Sequence, residues 1–109
     1  NALKNWVKNI EFVNAKTEDF LDKFIKDWWK ADCLIIDPPR SGMHPNATRD
    51  ILAFWARQMI YVSCEPSTLA RDIDYILSNS DYQFTDIIPV DMFPQTHHVE
   101  TVVKLIKPV

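Results

Sequence analysis

The sequence predicts an α/β domain with a mostly parallel sheet that ends in an antiparallel hairpin. Two observations predict it. Apolar, β-branched segments alternate with amphipathic segments of helical length along most of the 109 residues, which is typical of βαβ units. Near the end, only residues 91–98 separate two strand-like segments. A connection this short cannot contain a crossover helix, so these two strands should be antiparallel neighbours.

The first half of the chain contains two predicted strands and two predicted helices. Residues 10–13 are a short strand candidate, and residues 33–36 are continuously apolar, as in a central parallel strand. Thr17 begins a helix whose first turn is acidic. The apolar stripe of that helix comprises Phe20, Leu21, Phe24, Ile25 and Trp28. Pro45 and Asn46 precede a second helix, whose inward residues are expected to be Ile51, Leu52 and Trp55.

The second half contains three predicted strands and one predicted helix. A buried strand covers residues 59–63, and the last two strands cover residues 82–90 and 99–106. Pro66 suits the first turn of a helix over about residues 67–79. The expected apolar face of this helix comprises Leu69, Ala70, Ile73, Ile76 and Leu77.

Composition limits the possible functions. Hydrophobic residues make up 47% of the chain, so one small domain can bury a core. A net charge of −3 provides no overall basic field, so a nucleic-acid substrate would need most of its phosphate contacts from elsewhere. Cys33 and Cys64 lie in or beside apolar strands, which suits a reducing cytoplasm. Gly42 is the single glycine, so the sequence lacks the Gly-rich turn of nucleotide-binding α/β domains. We therefore expect residues 1–109 to be part of a larger domain.

Three reactive side chains should meet at one edge of the predicted sheet. Asp37 and Cys64 end two parallel strands, and ligands of open α/β sheets bind beyond the carboxyl ends of such strands. Glu100 begins the antiparallel last strand, so it should lie at the same edge. Cys64 also precedes a helix, where unpaired amides favour a thiolate.

Structural explanations remain open for each of these residues. A cysteine after a strand can be an ordinary core residue, and Asp37 before two prolines can simply end its strand. Glu100 could be a solvated strand charge. Glu100 together with His97 and His98 could also suggest a metal site. However, adjacent residues of a strand point to opposite faces, and the sequence shows no further set of ligands. We therefore predict no bound metal.

Three motifs together resemble the RNA uracil-C5 methyltransferases, which make 5-methyluridine in tRNA and 23S rRNA. They are Asp-Pro-Pro-Arg-Ser-Gly at residues 37–42, Met-Ile-Tyr-Val-Ser-Cys at 59–64 with Pro66 and Thr68, and Val-Asp-Met-Phe-Pro-Gln-Thr-His-His-Val-Glu at 90–100. The resemblance covers most of the chain from about residue 33 onward, in order and with suitable spacing. It implies part of the Rossmann-like fold of the class I methyltransferases, which use S-adenosylmethionine as cofactor.

The resemblance also implies roles for individual residues. Cys64 corresponds to the nucleophile that adds to uracil C6, so that C5 can attack the methyl group of S-adenosylmethionine. Glu100 corresponds to the base that then removes the C5 proton. Asp37 matches a cofactor-site residue. Further substrate-binding candidates by motif position are Pro38, Arg40, Thr68 and His98. A target base in structured RNA must be unstacked to reach such a pocket.

The family's Gly-rich cofactor loop and separate RNA-binding domain have no counterpart in these residues. We therefore expect the carboxyl-terminal portion of a catalytic domain, inactive without the upstream remainder of its polypeptide. Glu65 replaces a frequent asparagine of the family, and Lys16 stands where an acidic or amide residue often contacts the cofactor adenine. Two other functions remain open: an amino-group nucleic-acid methyltransferase of the Asp-Pro-Pro-aromatic type, and an inert α/β interaction module.

Overall fold

A computed structural model describes residues 8–26, 30–91 and 99–108. Three helices and four strands follow one another in this part of the chain. The helices are α1 (Thr17–Lys26), α2 (Pro45–Ala53) and α3 (Pro66–Ser78). The strands are β1 (Lys30–Ile36), β2 (Trp55–Ser63), β3 (Gln83–Val90) and β4 (Glu100–Ile106). The predicted alternation of strands and helices is thus confirmed for the region from β1 to β4.

The four strands form one mixed sheet in the order β1-β2-β4-β3. β1 and β2 are parallel, and β4 lies antiparallel between β2 and β3. Three strands therefore run in one direction and only β4 runs in the other. The antiparallel pairing of the last two strands is confirmed. The position of β4 between β2 and β3 was not predicted from the sequence.

One face of the sheet packs against the helices and forms the core. Alternate residues of β2 and β4 point to this face and are almost completely buried, namely Met59, Tyr61, Val103 and Leu105. α2 contributes Ile51, and α3 contributes Leu69, Ile73 and Ile76. Leu21 of α1 joins the same cluster, with Ile25 packed against it. The helical periodicities thus identified the main core residues.

α2 and α3, which follow the parallel strands β1 and β2, begin with the same N-terminal capping pattern. Pro45 and Pro66 each occupy the first helical turn, where a missing N–H costs nothing. The side chain just before each proline accepts a hydrogen bond from a helical amide: His44 Nδ1 from Asn46, and Glu65 from Ser67. Both helix starts are therefore fixed by residues adjacent in sequence.

Several expectations for individual residues were wrong. Residues 10–13 are irregular, and Phe12 is 75% exposed, because a short apolar segment needs a partner strand and none of the described strands pairs with it. Trp55 is not on a helix. It begins β2, which is four residues longer than predicted, and its side chain is exposed.

The other differences concern which face of an element is covered. Ile35 is 67% exposed because β1 lies at the edge of the described sheet and alternates faces, unlike a central strand. Ala70 and Leu77 are exposed because they lie at the margin of the buried stripe of α3. The predicted residue Trp28 and the side chain of Phe24 lie outside the described residues. Within the described ranges, no helix is long and apolar enough to cross a membrane.

Candidate active site

The connection between β2 and α3 places Cys64 at the carboxyl edge of the sheet. β2 ends at Ser63 and α3 begins at Pro66, so Cys64 and Glu65 form the whole connection. Ser63 Oγ donates to the Glu65 carbonyl (2.9 Å) and accepts from the Glu65 amide (3.1 Å). The Cys64 thiol is free and half-buried. A local hydrogen-bonded turn therefore fixes this side chain just before the amino end of a helix.

Glu100 begins β4, the strand that pairs with β2 in the antiparallel direction. Ser63 and Thr101 form the last pair of this register, so Cys64 directly follows that pair and Glu100 directly precedes it. Glu100 alternates with the buried Val103 and Leu105, which places it on the face away from the helical core. The antiparallel direction of β4 thus puts the half-buried residues Glu100 and Cys64 at the same edge of the sheet.

Asp37 follows the neighbouring parallel strand and borders a large cavity. Ile36 pairs with Tyr61, so Asp37 lies at the same edge as Cys64 but about two residues lower in the register. The cavity has a volume of about 820 Å³ and is lined by Asp37, Pro38, residues of α1 and α2, and the irregular segment 11–15. Cys64 and Glu100 do not line it. The structure therefore places Cys64 and Glu100 at one edge of the sheet, with Asp37 on the wall of a cavity that neither of them lines.

The loop of residues 37–44 between β1 and α2 is fastened to α3. Thr68 Oγ1 donates to the Arg40 carbonyl (2.8 Å), and Arg71 Nη2 donates to the carbonyls of Ser41 (3.0 Å) and Met43 (3.4 Å). The Met43 amide donates to Asp72 Oδ2 (2.8 Å). Three side chains of one helix face thus hold three residues of the loop, Arg40, Ser41 and Met43.

Asp72 is the centre of this network. It is 3% exposed, and its Oδ1 pairs with Arg71 Nη2 at 3.0 Å. The hydroxyl of Tyr61 donates to Asp72 Oδ2 (2.5 Å). Burial first, and then the hydrogen bond and the charge of Asp72, raise the pKa of Tyr61 well above its usual value. Tyr61 therefore remains a neutral donor that ties β2 to α3.

Gly42 makes the tight approach of loop and helix possible. Its amide donates to the Pro39 carbonyl (2.9 Å) and its φ is +78°, a left-handed conformation that residues with a Cβ rarely adopt. A Cβ at this position would also collide with Arg71 Nη2 and approach Asp72 Oδ2 to 2.8 Å. The single glycine of the sequence thus lies where the loop meets the network.

The structure also locates three of the four substrate-binding candidates. Pro38 is half-buried on the cavity wall, and Arg40 is in an exposed turn. Thr68 is half-buried, and its hydroxyl is used to hold the loop. His98 and His97 lie outside the described residues. Among the residues that are described, no group of three or more His, Cys, Asp or Glu side chains is arranged to hold a metal ion.

The sequence reasoning missed Tyr61, Arg71 and Asp72. A signal for Asp72 was present, because it shares the apolar stripe of α3 with Leu69, Ile73 and Ile76 at helical spacing. A carboxylate on a buried stripe requires hydrogen-bond partners. The identity of those partners, about thirty residues away in the loop, is not visible from the spacing.

Comparisons with known proteins agree on one family. The model of the tRNA (uracil-5-)-methyltransferase family matches residues 1–108. A protein from Listeria monocytogenes described as an uncharacterized RNA methyltransferase is 47% identical over 105 residues, which are 96% of this chain and 22% of the relative. A Thermotoga maritima protein with the same description is 45% identical over 107 residues, 98% of this chain and 24% of the relative. The chain thus spans roughly a fifth to a quarter of the length of these relatives.

Solved structures are similar as well. The Pyrococcus abyssi tRNA (uracil-54, C5)-methyltransferase in complex with S-adenosyl-L-homocysteine superimposes with a TM-score of 0.60 and 43% identity, over 69% of this chain and 18% of that one. The M1.HpyAVI–SAM complex gives a TM-score of 0.68 at 15% identity, over 89% of this chain and 53% of that one. The second likeness supports the fold alone, a partial methyltransferase-like α/β domain.

Proposed function

Because the chain belongs to the tRNA (uracil-5-)-methyltransferase family, we propose that it forms the carboxyl-terminal part of a catalytic domain that methylates uracil C5 in RNA. The methyl donor is S-adenosylmethionine, and the substrate is a uridine of tRNA or rRNA. The observation that supports this most directly is the β2–β4 register, whose last pair, Ser63–Thr101, lies directly between Cys64 and Glu100 in the two chain directions and so leaves both residues at one edge of the sheet. A nucleophile and a base for the same uracil ring need a shared location of this kind. The reducing cytoplasm would keep the cysteine as a thiol.

Each proposed residue has a defined step. The Cys64 thiolate bonds to C6, and the C5–C6 electron pair moves toward C4 and its oxygen to give an enolate. The C5 carbon then bonds to the methyl group, whose bond to sulfur breaks with the electron pair staying on sulfur. Glu100 takes the C5 proton, the C5–C6 double bond re-forms, and Cys64 leaves as a thiolate.

The cavity next to Asp37 fits the chemistry of the methyl donor. Its volume lies within the range of small-molecule sites. Asp37 and Glu11 on its walls provide carboxylate acceptors, and the hydroxyl, ammonium and sulfonium groups of S-adenosylmethionine are donors or positive charges. Apolar side chains such as Leu34, Ile36 and Ile51 line the remainder and suit an adenine ring. When bound there, the cofactor supplies an electrophilic methyl group.

The test uses the full-length protein, S-adenosylmethionine and uridine-containing RNA. We expect Cys64→Ala to abolish both methylation and any covalent protein–RNA complex on denaturing gels. Glu100→Gln should still add to C6 and accept the methyl group, and should then accumulate a methylated adduct detectable by mass spectrometry. Separate reactions with tRNA and rRNA identify the substrate class.

Two matched variants control for nonspecific damage. Cys33→Ala removes the other half-buried cysteine, and Asp86→Asn neutralises an exposed carboxylate on the neighbouring strand β3. Both should keep wild-type turnover. An adduct formed by Cys64→Ala, or full turnover by Glu100→Gln, would refute the proposed roles.

A further inference from the structure

The sequence contains two pairs of adjacent arginine and aspartate residues. The two pairs differ in the further hydrogen bonds that the arginine donates. Arg49 and Asp50 of α2 are joined at 3.2 Å, and Arg71 and Asp72 of α3 at 3.0 Å. Both arginine side chains are more than half exposed, and both aspartates are mostly buried. Arg71 additionally donates to two carbonyls of the loop after β1, at Ser41 and Met43. The α3 pair therefore connects two segments that are about thirty residues apart in sequence.

The side chains of α3 that hold the loop are neighbours on the helix surface. Thr68, Arg71 and Asp72 are spaced i, i+3 and i+4, so they share one face of α3. All three contact residues 40–43, and Asp72 also accepts the Tyr61 hydroxyl from β2. A buried carboxylate is costly unless several donors satisfy it, and here three separate donors do so. We call these three α3 side chains the α3 clamp.

The α3 clamp joins a loop beside the proposed cofactor cavity to the helix that follows the proposed nucleophile. Loop 37–44 includes Asp37 and Pro38, which line the cavity, and α3 begins two residues after Cys64. Resting on the proposed function, we propose that the α3 clamp positions the cofactor side of the site relative to Cys64. Asp72 is then a positioning residue for methyl transfer, since it acts through the loop, whereas Arg71 both holds the loop and lines the cavity itself.

This arrangement predicts that two chemical steps respond differently to clamp variants. Addition of Cys64 to C6 depends on the local turn at Ser63–Glu65, so it should be unaffected. Methyl transfer requires C5 and the methyl group to be aligned, and a misplacement of about 1 Å costs on the order of 100-fold in rate. Loosening the α3 clamp should therefore slow methyl transfer selectively.

The experiment measures both steps in the full-length protein with RNA that contains uridine tritiated at C5. Without cofactor, Cys64 adds to C6, a solvent proton is taken up at C5, the tritium is lost from C5, and elimination restores uracil. Tritium released to water thus reports addition at C6 and proton exchange at C5, neither of which involves the methyl donor. With cofactor, single-turnover methylation reports the transfer step. We expect Arg71→Met to slow methylation by about 10- to 100-fold and to leave tritium exchange within about twofold.

Three further variants sharpen the result. Arg49→Met removes the matched arginine of α2 and should change neither rate. Arg71→Lys retains a cationic donor and should recover part of the methylation rate. Thr68→Val removes the hydrogen bond to the Arg40 carbonyl and a longer one to the Glu65 carbonyl. It should give a smaller loss in the same direction, which provides a second reading if Arg71→Met fails to fold.

The outcomes separate the two proposals. Equal losses of exchange and methylation in Arg71→Met, or an unchanged methylation rate, would overturn the positioning role while leaving the proposed function intact. Wild-type protein that neither exchanges C5 tritium nor methylates uracil would overturn the proposed function itself, and the clamp with it.

Discussion

The two connections that follow the parallel strands are built in opposite ways. The connection after β2 is two residues long and is held by Ser63, Glu65 and Ser67, all within four residues of Cys64. The loop after β1 spans residues 37–44, and side chains of α3 hold it from 28 to 30 residues away. The proposed nucleophile is thus positioned by local structure, and the proposed cofactor loop by tertiary contacts. Mutations should therefore affect the two connections unequally.

Replacing Asp72, the carboxylate at the centre of the network, should have the largest effect. It is therefore the strongest test of the difference between the two connections. Asp72→Ala removes the acceptor of the Met43 amide, the Tyr61 hydroxyl and the Arg71 guanidinium. Buried donors left without an acceptor cost about 1–3 kcal/mol each, so we expect a loss of about 3 kcal/mol in unfolding free energy. Urea denaturation measures it. Asp50→Ala, on α2, is the control and should cost clearly less; equal losses would contradict a special role for the loop contacts.

A side chain at the contact point of loop and helix should have the next largest effect. Gly42→Ala places a Cβ against Arg71 and Asp72 at a positive φ, so we expect a loss of about 2 kcal/mol. Thermal unfolding compared with Ser41→Ala, an exposed neighbour, isolates the effect. A Gly42→Ala protein as stable as wild type would show that the loop can move away from α3 without cost.

Removing one hydroxyl should have a smaller effect that depends on pH. Tyr61→Phe deletes the donor to Asp72 and should cost about 1.5 kcal/mol near neutral pH. Because the folded-state pKa of Tyr61 is raised, its contribution is complete below the usual tyrosine value of about 10 and is lost as the pH rises above it. Urea midpoints from pH 8 to 11 should fall less steeply for Tyr61→Phe than for wild type. Tyr75→Phe, at an exposed position, should match wild type throughout.

The local connection should be the most tolerant. Glu65→Ala removes the side-chain cap of α3 but keeps both hydrogen bonds between the Ser63 hydroxyl and the backbone of residue 65, so the expected cost is only about 0.5–1 kcal/mol. Unfolding curves provide the measurement. A loss as large as that of Asp72→Ala would remove the distinction between the two connections.

The same distinction explains which features the sequence could predict. Helix starts at Pro45 and Pro66 and the edge position of Cys64 depend on neighbouring residues, and their local patterns predicted them. Periodicity also identified core residues such as Ile51 and Ile76. The irregular segment 10–13, the exposed Ile35 and the Tyr61–Asp72 bond depend on which distant segments pack together. A single sequence does not show which distant segments pack together. The one indication is that the charged residue Asp72 lies on the apolar stripe of α3.

The position of β4 between β2 and β3 has a consequence for how the site matures during protein synthesis. β2 and β3 are both made before β4, and each is hydrogen-bonded to β4 in the finished sheet. Cys64 therefore leaves the ribosome well before Glu100, and the strand ends next to them come together only when β4 pairs with β2. Long-range strand pairing of this kind is slow compared with helix formation. A nascent chain thus displays its thiol before the strand that carries Glu100 has been made.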